Sequence, residues 1–201
     1  MSMRGHPMEN TLVYRLWQAP MAERKIAPLF RHNDPSRIRR VLDVGCGPGT
    51  NAAHFLEHDS LGVDINPGYI RDAERRYGPR FRVADVTTMR LEPGEGWDFI
   101  LVNSLLHHLP DEAVHGLLGH LATLLTPDGA VHILDLVLPE RRAISHLLAR
   151  LDRGDYPRPV SAWRALFEAH FLPVMFEPYP LGLLGLELWS MVYFQGRSRR
   201  A

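Results

Sequence analysis

Short apolar runs and amphipathic stretches take turns between Arg40 and Val137, and this alternation constrains the fold more than any other property of the chain. "RVLDVG" (40–45), "SLGVDIN" (60–66), "FRVADVTT" (81–88), "FILVN" (99–103) and "AVHILDLVL" (130–138) are rich in apolar and β-branched residues. They predict strands, the first of them buried on both faces. Between them lie segments with helical spacing. "TNAAHFLEH" predicts a helix after the first strand. "PGYIRDAERRYG" predicts another, with Pro67 in its first turn and Gly78 as its stop. In "DEAVHGLLGHLATLLTPDGA", Val114, Leu117, Leu118, Leu121, Leu124 and Leu125 recur on one helical face, and "PDG" reads as a turn. Further on, "RRAISHLLARLDRG" and "SAWRALFEAHF" predict helices, the second with Ser161 as N-cap. "PVMFEPYPL" and "LELWSMVYFQG" predict a closing antiparallel strand pair. Strand–helix alternation of this kind implies an α/β fold with a mainly parallel sheet covered by helices. In such sheets ligands bind at the carboxyl ends of the strands.

"VLDVGCGPGTNAAHF" (41–55) places three glycines, Gly45, Gly47 and Gly49, at that edge. Glycine permits positive φ and lets a ligand approach the backbone, and the segment that follows presents free N–H groups. A dinucleotide pyrophosphate uses such a turn under a G-x-G-x-x-G/A pattern, but here Thr50 holds the sixth position. A P-loop is excluded because no G-x-x-x-x-G-K-[ST] occurs. Asp64 ends the second strand, where a carboxylate can accept hydrogen bonds from a ribose diol. Asp85 ends the third, within reach of an adenine amino group. Asp43 precedes the glycines and suits a ligand bearing positive charge better than a pyrophosphate.

Taken together, "VLDVGCGPGTNAAHFL", "LGVDIN", "FRVADVTTM", "WDFILVNSLLHHLP" and "LLTPDGAVHILDLV" resemble the successive motifs of class I S-adenosylmethionine-dependent methyltransferases. The resemblance spans roughly Val41 to Val137. It implies a Rossmann-like three-layer sandwich with a seven-stranded, mostly parallel sheet whose last strand is antiparallel. It implies S-adenosylmethionine as cofactor, with Gly45, Gly47 and Gly49 beside its amino-acid end. Asp64 would then meet the ribose, Asp85 with Val86 the adenine, and Asn103 the methionyl part, with Ile65 beside Asp64 in the cofactor-binding set. Asp43 completes this cofactor-binding set.

Methyl transfer is an in-line displacement, so alignment supplies much of the rate, and a hydroxyl acceptor must also lose a proton. His107 and His108 follow the fourth strand on the cofactor side and are the candidate catalytic bases. Acceptor choice in this family comes from the N-terminal segment and from insertions after the strands. That points to Tyr14 and Trp17 as a lid and to Tyr156, Arg158 and Trp163 as pocket residues, with Arg141 and Arg142 as possible anion contacts. Residues 1–39 read as an N-terminal helical lid or extension and 40–201 as the methyltransferase domain, the whole forming one compact unit.

The expected activity is methylation of a small molecule, first at a hydroxyl oxygen. Nitrogen or carbon acceptors, a non-catalytic cofactor-binding module and an NAD-dependent oxidoreductase are the alternatives. Lys plus Arg equals Asp plus Glu at 23 each, and the Asn/Asp-Pro-Pro-Tyr/Phe motif of adenine methylation is absent from "NSLL", so a nucleic-acid substrate is not expected. The histidines lack zinc-type spacing, so no metal is expected. No window offers the roughly 20 apolar residues of a membrane span. The single cysteine, Cys46, fits a reducing compartment, and a cytoplasmic protein is expected. Short insertions leave room for a pocket completed by a second subunit, as in a homodimer.

Overall fold

The computed structural model describes residues 11–88, 96–139, 155–183 and 186–199, with side chains described from Met21 onward except at Leu183. Seven strands form one sheet in the order β3-β2-β1-β4-β5-β7-β6. They are β1 (Arg40–Val44), β2 (Asp59–Asp64), β3 (Phe81–Val83), β4 (Trp97–Asn103), β5 (Leu125–Val137), β6 (Phe171–Leu183) and β7 (Leu186–Ser198). The pairs β1–β2, β2–β3, β1–β4 and β4–β5 are parallel. Strand β7 runs antiparallel to both β5 and β6, so the closing pair is antiparallel, as its sequence predicts. The chain moves outward from β1 to β3, then restarts at β4 on the other side of β1. The crevice between the carboxyl ends of β1 and β4 is therefore the switch point at which open α/β sheets bind ligands.

Alternate strand residues face two separate layers, as a period of two requires. Leu42, Val44, Ile100, Val102, Val131 and Ile133 pack with Val114, Leu117, Leu118 and Leu121 of α3 (Asp111–Leu124) and with Trp163 and Phe167 of α4 (Val160–His170). Val41, Phe99, Leu101, Leu134 and Tyr193 face the other way, against Leu29 and Phe55. Leu29 belongs to α1 (Thr11–His32), whose second half is fastened across the sheet. Arg31 and His32 pair with Glu177, the Tyr179 hydroxyl donates to the Lys25 carbonyl at 2.6 Å, and Arg24 donates to the Gly182 carbonyl. The order of these contacts runs α1 antiparallel to β6. Its amino end therefore heads toward the carboxyl edge of the sheet, and from Met21 onward it is a layer of the core. Among the described residues no helix is long and apolar enough to cross a membrane.

Local capping explains α2 (Pro67–Tyr77) well. The Asn66 side chain accepts from the Gly68 and Tyr69 N–H groups, Pro67 opens the first turn, and Gly78 at φ 83° closes the last. Three expectations need correction. The helix predicted after Gly49 is only a 3₁₀ turn, Ala52–Phe55. Asn51 at its head makes no capping bond, because its side chain turns to Asp43 instead. The "PDG" segment is no turn between elements but an irregularity within β5. Trp97 pairs with Leu125 and Phe99 already with Ala130, so Thr126–Gly129 bulges opposite Asp98. At α4 the N-cap is Pro159, extended at ψ 161°, and Ser161 lies inside the first turn. The predicted helix over 141–154, with Arg141 and Arg142, lies outside the described residues.

Candidate active site

The turn after β1 holds Gly45, Gly47 and Gly49 at φ 71°, 55° and 77°, a region that disfavours side chains. Gly47 is the informative one. A β-carbon built there would meet nothing within 4 Å, so the strained backbone faces open space rather than the core. Its N–H donates to Asp64 Oδ2 at 2.9 Å, while Asp64 Oδ1 accepts from the Asn66 N–H at 2.8 Å. Asp64 thus joins the glycine turn to the start of α2, with lone pairs left for a ligand. Ile65 beside it is 67% exposed. At the end of β3, Asp85 accepts from the N–H and hydroxyl of Thr87 at 2.9 and 2.7 Å, and these bonds hold its carboxyl below the usual range. Val86 packs against the core next to it. Asp64, Ile65, Asp85 and Val86 therefore form one continuous rim along β2 and β3.

Beneath the glycine turn a buried polar chain links β1 to β4. Asn103 donates to Asn51 Oδ1 at 3.1 Å, and Asn51 donates to Asp43 Oδ2 at 3.5 Å. Asp43 Oδ1 and Asn103 Oδ1 are buried without a hydrogen-bond partner. Two orphaned acceptors beside a bare backbone cradle are costly unless a donor arrives, and a cationic donor suits them best. Burial pushes the Asp43 carboxyl up to about 7, opposed by the Asn51 hydrogen bond and assisted by the charge of Asp64. Asn51 escaped the sequence reading. The only hint of it was a polar side chain immediately after the glycines, where a helix face was expected.

The strand β4 ends in Asn103, and Ser104 follows at φ 56°, the sole non-glycine with positive φ among the described residues. Such a conformation costs of order 1 kcal/mol and persists where the surroundings enforce it. Here the Ser104 N–H is held by the Leu134 carbonyl at 2.8 Å. The loop then enters a 3₁₀ turn, Leu106–His108. His107 is 3% exposed, and its Nδ1 lies 2.5 Å from Asp135 Oδ1. Asp135 Oδ2 accepts from the Leu106 N–H at 2.8 Å. Burial alone would raise the Asp135 carboxyl, but the charge of His107 and the bonds from His107, Leu136 and Leu106 hold it below the usual range. Asp135 also escaped the sequence reading, although a carboxylate inside "ILDLV" demands a partner. His108 is exposed, with its ring 4.1 Å from that of His107.

The expected pocket residues separate. Tyr156 is 43% exposed and donates its N–H to the His107 carbonyl at 3.0 Å, so it lies beside the site. Arg158, expected to meet the acceptor, is 6% exposed and spends its guanidinium on Asp111 and on the carbonyls of Leu106, Tyr156 and Leu109. Trp163 is fully buried, donating Nε1–H to the Leu136 carbonyl at 2.8 Å and stacking on Phe167. Tyr14 and Trp17 fall on the first turns of α1, where side chains lie outside the described residues.

A methyltransferase-domain family model matches residues 41–129. An uncharacterised methyltransferase of Mycobacterium bovis is 32% identical over 150 residues, covering 72% of each chain. The chain belongs to the class I S-adenosylmethionine-dependent methyltransferases. A trans-aconitate 2-methyltransferase of Methylobacterium nodulans is 37% identical over 124 residues, which are 59% of this chain and 45% of that protein. The chain thus spans less than half the length of that relative. Among solved structures, an S-adenosylmethionine-dependent methyltransferase of Methanosarcina mazei matches with a TM-score of 0.69 at 14% identity, over 85% of this chain and 97% of that one. That likeness is one of fold.

The methyltransferase fold and its orphaned acceptors fit a cofactor that carries an α-ammonium at its amino-acid end. Asp43 should make that fit pH-dependent. The neutral acid must lose its proton to receive a cation, so affinity for S-adenosylhomocysteine should weaken about tenfold per unit as pH falls below 7. Calorimetry at pH 5.5 and 7 would measure this. In Asp43→Asn the dependence should vanish, and a dependence retained in that variant would assign it to another group. Without ligand the sign reverses. A raised carboxyl favours the folded state below about 3.8, and that contribution is lost as pH rises through about 7.

Proposed function

We propose that this methyltransferase esterifies a carboxylate oxygen of a small organic acid. The observation that carries the reading is the buried His107–Asp135 pair. The hydroxyl acceptor expected from sequence requires a base that reaches the reacting oxygen, and His107, paired with Asp135, is enclosed in the fold at 3% exposure. A carboxylate arrives ionised at neutral pH and needs alignment rather than deprotonation. The trans-aconitate methyltransferase relative supports the same class, since trans-aconitate is a tricarboxylate.

In this reading S-adenosylmethionine supplies an electrophilic methyl group on a cationic sulfur. The chain's own residues then have distinct tasks. Asp64 accepts from the ribose diol with Ile65 beside it, and Asp85 and Val86 frame the adenine. Gly45, Gly47 and Gly49 leave room for the amino-acid end, whose ammonium meets Asp43 and Asn103. Tyr156 borders the acceptor, and the amino-terminal turns of α1, bearing Tyr14 and Trp17, cover it.

The test is a screen with S-adenosylmethionine against trans-aconitate, simpler di- and tricarboxylates, and phenols. The expected product is an ester that mild alkali cleaves. An alkali-stable ether instead would return the hydroxyl reading, with the exposed His108 as base and a pH–rate limb that His108→Ala removes.

A further inference from the structure

We infer that Arg158 is a positioning residue that locks the acceptor-side segment carrying Tyr156 to the loop after β4, and so sets where an acceptor stands relative to the transferred methyl. The inference rests on the function proposed above for its meaning, and on geometry for its mechanism.

The loop 104–110 is gripped from two sides. Asp135 holds its inner side through the Leu106 N–H and His107 Nδ1. Arg158 holds carbonyls of the same loop, with Nη1 on Leu106 at 3.1 Å and Nη2 on Leu109 at 2.8 Å. Nη1 also reaches the Tyr156 carbonyl at 3.1 Å, and the Tyr156 N–H returns to the His107 carbonyl at 3.0 Å. Nε meets Asp111 Oδ1 at 2.7 Å, tying in the first residue of α3. The guanidinium carbon lies 4.8 Å from the centre of the Trp163 ring. The backbone of Arg158 is itself anchored, since its carbonyl accepts from the Leu138 N–H at 2.8 Å.

One residue thus connects four parts: its carbonyl meets the end of β5, and its side chain joins the Tyr156 segment, the post-β4 loop and α3. Asp111, by contrast, is 74% exposed in its side chain, so the ion pair is the outer and weaker part of the grip. The inner part is a planar fork with donors pointing at three carbonyls, a task for guanidinium that a lysine ammonium does not reproduce. A chain needing only a buried ion pair would tolerate Lys here. A chain using Arg158 to register two loops would not.

Arg158→Lys tests this in the full chain. With trans-aconitate as acceptor, kcat/KM per folded enzyme should fall at least tenfold, while affinity for S-adenosylhomocysteine stays within about twofold. Hydrogen exchange should show the 104–110 and 155–159 segments losing protection together. A variant that only melts earlier, with kcat/KM unchanged, overturns the inference, as does a parallel loss of cofactor affinity. If the wild type does not turn over trans-aconitate, the acceptor reading fails on its own. Exchange then decides: joint loss supports the lock, and an unchanged or one-sided response refutes it. Should Arg158→Lys not fold, Arg158→Gln, which keeps a planar donor, is judged by the same readouts.

Discussion

Asp135→Ala is expected to destabilise the protein by about 3–5 kcal/mol, the cost of removing one partner from a buried ion pair. Asp135 is fully buried, and it binds His107 Nδ1, the Leu106 N–H and the Leu136 N–H. The substitution strands those donors without water. A domain stable by roughly 5–15 kcal/mol would lose a large share of its margin. Urea denaturation should show a lower midpoint with an unchanged slope. The effect also has a sign in pH. The Asp135 carboxyl is held below its ordinary range in the folded state. Its contribution is therefore present above the ordinary carboxylate value and is lost as pH falls through the folded one. Wild type and variant should differ most near neutrality and converge in strong acid. A difference that is flat with pH would mean that the loss comes from the cavity and not from the charge. Asp135→Asn, which keeps the volume and one acceptor, should fall between the two.

The second large effect concerns the cofactor. Asp64→Ala should weaken binding of S-adenosylmethionine by about 1–3 kcal/mol, through lost charge-assisted hydrogen bonds. Beside the proposed ribose contact, the carboxylate holds the Gly47 N–H and the Asn66 N–H. Its removal releases the glycine turn at the position where the backbone has open space. Asp64→Asn separates the two roles. Its amide oxygen can keep one backbone N–H, but it offers no charge to a diol. Calorimetry should rank wild type above Asn above Ala. Equal affinity in all three folded proteins would sink the ribose assignment.

Much of the architecture was legible because it depends on neighbours in sequence. Asn66, Pro67 and Gly78 bracket α2 through contacts within a few residues. The alternation of apolar runs predicted a parallel sheet, and the three glycines marked a strained turn at its edge. The same local logic misled where a tertiary contact intervened. "TNAAHFLEH" has the composition of a helix, yet Asn51 at its head bonds Asp43 rather than capping it, and the chain takes only a 3₁₀ turn. Side-chain roles followed the same division. Asp43, Asp64 and Asp85 could be singled out because each lies at or near the end of a strand, a place that the pattern locates. Arg158 was read as a pocket residue because its local sequence hides the partners, Asp111 and three carbonyls, that hold its guanidinium.

From its sequence alone, then, this protein's strand order of appearance, its glycine turn and the acids along its rim were determined, since each is a matter of spacing within one segment. Only the tertiary structure decided that His107 is spent on Asp135, 28 positions away, and Arg158 on Leu106, 52 positions away. The physical reason is packing. Which side chains of distant segments meet depends on how the sheet and its covering helices come together, and no local pattern in the chain records that.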